Sequence, residues 1–127
     1  MADVNRGARP LSPHLMIYRP QFTAITSSFH RLTGIALAGS GVLIVWWFLA
    51  AATGPEYFEF ANGVLTSWFG DILLTLSLWA ISYHLLNGIR HLAWDFGKGL
   101  DLASARRSAY VVGLGSFVLT ALVVILL

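Results

Sequence analysis

The uncharged run Leu32–Pro55, LTGIALAGSGVLIVWWFLAAATGP, lies between Arg31 and Glu56. At about 1.5 Å per residue it is long enough to cross a hydrocarbon core of roughly 30 Å as one helix. Two further runs pass the same test: Ile72–Ile89, ILLTLSLWAISYHLLNGI, between Asp71 and Arg90, and Ser108–Leu127, SAYVVGLGSFVLTALVVILL. The reading is an all-α membrane protein with three transmembrane helices, expected at about 22–52, 63–95 and 104–127. Residues 1–21 read as an extended leader and 22–127 as a single transmembrane domain. Breakers separate the spans: TGPEYFEFAN follows the first, and DFGKGLDLASARR follows the second, with Gly97 a plausible C-cap and Asp101 or Ser104 a plausible N-cap.

Composition narrows the function. The chain of 127 residues is 57% hydrophobic and 11% charged, with a mean hydropathy of +0.71, so a separate soluble catalytic domain does not fit beside the spans. Zero cysteines exclude disulfides, thiolate nucleophiles, Cys-bound zinc and iron–sulfur clusters from this chain. A formal charge of +2, from eight Lys/Arg against six Asp/Glu, is too small to imply nucleic acid. Its distribution says more. Arg6, Arg9, Arg19 and Arg31 precede the first span, and Arg90, Lys98, Arg106 and Arg107 flank the second loop. The first loop has Glu56 and Glu59 and no Lys or Arg. The positive-inside rule therefore puts the N-terminus and second loop on the cytoplasmic side, or the matrix side in a mitochondrion. The leader has no signal-peptide core and is short for a transit peptide, which favours a bacterial inner membrane over a mitochondrial one.

Ionisable groups cluster at the cytoplasmic ends of two spans. In QFTAITSSFHRLTG, Phe22, Ile25, Phe29 and Leu32 recur at steps of three and four, and Thr23, Ser27 and Arg31 recur at steps of four on another face. In HLLNGIRHLAWD, His84–Asp95, the imidazoles of His84 and His91 share one helix face about 10 Å apart. They leave one helix in nearly the same direction, so they cannot be the two axial ligands of one iron. Taken alone, His84 reads first as a neutral imidazole hydrogen-bonded to a neighbouring helix, His91 as an interfacial group, Arg31 and Arg90 as snorkelling cations, and Asp95 as a solvated helix end. Taken together, Ser27, His30 and Arg31 enter at the membrane level of Arg90, His91 and Asp95. That combination offers an imidazole at depth for iron, with guanidinium and imidazole donors above it for carboxylates such as haem propionates. Ser27 and Arg31, one turn apart, could also hydrogen-bond a quinone carbonyl and stabilise the negative charge that reduction places on it.

These two blocks, RPLSPHLMIYRPQFTAITSSFHRLTG and HLLNGIRHLAWD, resemble the cytochrome b subunit family of succinate dehydrogenase, the larger membrane anchor of respiratory complex II. The matching positions are Arg9, Pro10, Ser27, His30, Arg31 and Thr33 in the first, and His84, Gly88, Arg90, His91 and Asp95 in the second. The resemblance implies half of a heterodimeric helix bundle holding one haem b, with His84 as one axial ligand and the other supplied by the smaller hydrophobic anchor subunit. It implies His30, Arg31 and His91 at the propionates, and Ser27 with Arg31 at a ubiquinone site beneath the iron–sulfur subunit. Electrons would come from succinate through the flavoprotein and iron–sulfur subunits. No catalytic residue for succinate oxidation is expected here, and no activity in isolation. Asp95 would orient Arg31 or help deliver protons, unless it is an ordinary ion pair. Two other readings compete: a diheme cytochrome using His14 and His30 as extra ligands, and a non-redox scaffold with structural histidines. Gly34, Ala38, Gly41, Gly113, Gly115 and Ser116 read as packing residues, and Trp46, Trp47, Trp68 and Trp79 as lipid-facing or interfacial aromatics.

Overall fold

A computed structural model describes residues 14–126. Residues 1–13 of the expected leader, including Arg6, Arg9 and Pro10, and Leu127 lie outside the described residues. Those described form four helices: α1, Phe22–Thr53; α2, Pro55–Leu65; α3, Trp68–Asp95; and α4, Leu102–Leu126. Three of them, α1, α3 and α4, have 32, 28 and 25 residues and are long and apolar enough to cross a membrane. Their lengths of about 48, 42 and 38 Å all exceed the hydrocarbon thickness, so their ends reach the interfaces.

The first connection differs from the sequence expectation. Where TGPEYFEFAN read as a loop and the second helix as 63–95, Pro55–Leu65 forms its own helix and α3 starts at Trp68. Gly54, at φ 150°, ends α1 in a conformation that glycine favours, and Pro55 opens α2 with Glu56 in its first turn. Ser67 makes the next joint: its hydroxyl donates to the Val64 carbonyl at 2.6 Å and accepts the Gly70 amide at 3.2 Å, capping α3. Gly70 has no room for a Cβ, which would strike the carbonyls of Leu65 and Val64. Trp46 and Trp47, read as lipid-facing or interfacial, donate from their indoles to Tyr57 Oη at 2.9 Å and Asn62 Oδ1 at 3.3 Å, tying α1 to α2.

At the other end, α3 stops in a Schellman motif. Gly97, one residue past the cap Phe96 and at φ 71°, donates to the Trp94 carbonyl at 2.8 Å, and Lys98 donates to that of Ala93 at 2.9 Å. Of the two candidate N-caps, Asp101 serves: its Oδ2 accepts the Ser104 amide at 2.9 Å. That backbone bond, with a side-chain bond to Ser104, holds the Asp101 carboxyl below the usual carboxylate range.

Packing is inverted relative to a water-soluble domain. Most buried positions are small or polar, among them Ala50, Ala80, Ala109, Thr26, Thr33, Asn87 and Ser116, while Ile35, Val45, Phe48, Val111, Leu114 and Phe117 are exposed. In lipid, helices gain little by burying apolar bulk; they associate through close backbone approach and polar contacts. The Ser40 and Ser77 hydroxyls meet at 2.7 Å between α1 and α3. A Cβ on Gly115 would lie 3.2 Å from Leu86, so α3 and α4 pack tightly there.

Candidate functional site

Three imidazoles form a column between α1 and α3. His84 and His91 project from α3, and His30 of α1 inserts between them, its ring 3.9 Å from His84 at 17° and 5.1 Å from His91 at 21°. Trp94 continues the column, 5.0 Å beyond His91. Stacked rings present faces to one another, so their lone pairs do not converge on a common point as an all-histidine metal site requires.

The column forms because α1 turns an inward face composed of Thr26, His30 and Thr33, spaced by four and three residues. Thr26 and Thr33 are buried and His30 is half-buried. This is a rotation from the expected polar face of Thr23, Ser27 and Arg31. Ser27 is half-buried and Arg31 exposed, flanking the column on α1. Asp95 ends α3 and is exposed. The structure thus gathers His30, His84 and His91, and leaves Ser27, Arg31 and Asp95 toward the outside of the bundle. His14, a ligand in the diheme reading, is exposed in the leader.

The hydrogen bonds of His84 fix its tautomer. Its Nδ1 lies 3.2 Å from the His30 carbonyl oxygen and 3.2 Å from Thr33 Oγ1. A carbonyl only accepts, so Nδ1 carries the proton and donates to it. The Thr33 hydroxyl donates to the same carbonyl at 2.9 Å. In the neutral ring Nε2 is then the nitrogen with its lone pair available, the arrangement in which a ligating histidine is held by a backbone carbonyl behind it. Gly34 keeps the space: a Cβ there would sit 3.1 Å from His84 Cε1.

Two column atoms lack partners. His30 Nδ1 and His91 Nε2 are buried with no hydrogen bond, a costly state that a bound acceptor such as a carboxylate relieves. One lone pair at depth and two unmatched ring nitrogens beside it fit a haem, with its iron and propionates.

Arg90, read as a snorkelling cation when taken alone, is instead a clamp only 5% exposed. It donates to Ser108 Oγ at 2.9 Å, the Ala105 carbonyl at 2.9 Å, Asn87 Oδ1 at 3.2 Å and Thr26 Oγ1 at 3.4 Å. Its guanidinium also covers Trp94 at 4.1 Å. One side chain thereby joins α1, α3 and α4 directly behind the column. Tyr83 adds a bond from its hydroxyl to the Thr26 carbonyl at 2.9 Å. Sequence reasoning gave no role to Thr26, Tyr83 or Asn87 and assigned Gly34 to general packing. The four-and-three spacing of Thr26, His30 and Thr33 is the signal that marks the inward face.

Residues 5–123 match the family described as succinate dehydrogenase/fumarate reductase transmembrane subunit. The succinate dehydrogenase cytochrome b556 subunit of Paracoccus denitrificans is 53% identical over 125 residues, covering 98% of this chain and 96% of the relative. That of Rickettsia bellii is 39% identical, covering 90% and 89%. The cytochrome b560 subunit of Marchantia polymorpha is 39% identical, covering 82% and 80%.

Proposed function

The chain belongs to the succinate dehydrogenase/fumarate reductase transmembrane subunit family, and from that premise we propose that it is the haem-binding larger anchor of a bacterial succinate:quinone oxidoreductase. It is a multi-pass membrane protein. The observation that carries the haem reading is the His84 tautomer, with Nδ1 committed to the His30 carbonyl and Nε2 left free. His84 would hold the haem from this chain, and the smaller anchor subunit would supply the remaining protein ligand. When bound, haem b supplies a one-electron carrier beside the quinone site.

The chain's own residues then divide the work. His84 donates its Nε2 lone pair, and the His30 carbonyl behind it raises the basicity of the ring and fixes its rotation. His30 and His91 offer their unmatched ring nitrogens to propionates, and Arg31 offers a guanidinium matched to a carboxylate. Ser27 and Arg31, one turn apart on the outward side of α1, hydrogen-bond a ubiquinone carbonyl oxygen and stabilise charge that develops there on reduction. Asp95 orients Arg31 or relays protons toward the reduced quinone. Flavoprotein and iron–sulfur partners deliver electrons from succinate, since this chain has no cysteine to hold a cluster.

The test is a succinate-reduced minus oxidised spectrum of the complex purified through a tag on this chain. A b-type signal elicited by succinate, with flavin and iron–sulfur subunits present, supports the reading. Flavin and clusters without haem would retain the anchor and refute the haem assignment.

A further inference from the structure

On the opposite side of α3 from the histidine column, a cavity of about 480 Å³ opens between α3 and α4. Leu86 and Ala93 in its wall follow His84 and His91 by two residues each, about 200° around the helix. That wall of the cavity therefore faces away from the proposed haem, while Trp94 borders both the cavity and the end of the column. Its walls are apolar, with Ile89 and Val111 on the two sides and Gly115 deepest on α4. The mouth is different: Lys98, Gly99 and Ser104 border it at the end of the helices that carries the second loop. From Ser104 to Gly115 along α4 is about 16 Å, half of a roughly 30 Å hydrocarbon core.

The charge around the mouth is positive on balance, with Arg90, Lys98, Arg106 and Arg107 set against Asp95 and Asp101. Arg90 lines the cavity, and all four of its hydrogen-bond partners are neutral groups: two hydroxyls, an amide oxygen and a carbonyl. Lys98 adds an exposed cation, and Arg106 and Arg107 follow on α4. The nearby carboxylates, Asp95 and Asp101, are exposed, and Asp101 is engaged in capping α4. Trp94 holds the lip in place, its indole donating to the Gly99 carbonyl at 3.1 Å.

We propose that this groove binds an anionic phospholipid of the cytoplasmic leaflet, with its phosphate at Lys98 and one acyl chain against Leu86, Ala93 and Gly115. A one-leaflet depth, apolar walls and a basic mouth over a buried cation match the two ends of such a molecule. Neutral phospholipids fit the walls but leave the positive charge unmatched. The site needs neither haem nor quinone, so it stands or falls separately from the function proposed above.

The experiment places a benzoylphenylalanine photocrosslinker at Ile89, which is 55% exposed and lines the groove. The whole complex is irradiated in vesicles of equal phosphatidylglycerol and phosphatidylcholine, and the adducts are weighed by mass spectrometry. The expected result is a phosphatidylglycerol adduct favoured over phosphatidylcholine by about fivefold, the preference disappearing with Lys98→Glu. Ala93→Phe, which fills the groove, is expected to remove the lipid adduct while leaving the b-type spectrum intact. Adducts to another subunit or a second copy, equal labelling by both lipids, or labelling unchanged by Lys98→Glu would overturn the proposal.

Discussion

Gly34 and His84 are separated by fifty positions in the sequence, yet the ring of one occupies the space left by the missing Cβ of the other. Gly34→Ala requires the ring to shift by a few tenths of an ångström, turning the proposed ligand atom Nε2 without removing it. The expected outcome is a complex that still holds haem but with altered low-spin EPR g-values and midpoint potential. Unchanged g-values would show that ring rotation is not set there. Arg90 acts on stability: Arg90→Ala leaves Asn87 Oδ1 without its donor, breaks the bonds to Ser108 and the Ala105 carbonyl on α4, and is expected to cost about 3 kcal/mol. Thermal inactivation of the detergent-solubilised complex measures the loss. Arg90→Lys is expected to recover only part of it, because an ammonium cannot reproduce the planar fork. At this scale the sequence revealed the residue types but not their neighbours. The His30 ring enters between His84 and His91 because of the rotation of α1 against α3, and spacing within either helix does not determine that rotation.

Within the elements, the three long spans were legible because a run without charge of membrane length has few other uses. The helix α2 was missed because Gly54 and Pro55 were read only as breakers, although Pro followed by Glu is also a helix-opening pattern. The stop of α3 was legible at Gly97, since a glycine there satisfies the left-handed φ of a Schellman turn. The start of α4 carries a pH dependence. Asp101, with its carboxyl held below the usual range by the Ser104 amide, stabilises the helix fully above the ordinary carboxylate pKa. That contribution is lost as pH falls through the depressed value. Asp101→Asn keeps the cap and removes the titration, so the variant is expected to match the wild type near neutrality and to lose less stability in acid. Thermal stability of the two complexes measured across the acid range checks this. An identical acid loss in both would assign the dependence to another carboxylate.

For the whole molecule, the outward face of large apolar side chains and the small, polar interior describe a subunit built for lipid and for other helices. The histidine cluster was readable from the shared level of its residues at the ends of two spans. The way Ser27 and Arg31 fall outside the column was not, because their outward position follows from packing among three helices. The arrangement makes structural sense for a half-site: the column presents one free imidazole nitrogen and two unmatched ones, and α1 presents a hydroxyl and a guanidinium beside them. The central claim is that His84 Nε2, with its proton fixed on the opposite nitrogen, is this chain's ligand to the haem. The most direct test is the low-spin b-type spectrum of complexes carrying His84→Gly or His91→Gly, each with and without added imidazole. The account predicts that His84→Gly loses the six-coordinate signal and regains it with imidazole, while His91→Gly keeps it throughout. A wild-type spectrum in His84→Gly, or its loss in His91→Gly alone, would contradict it.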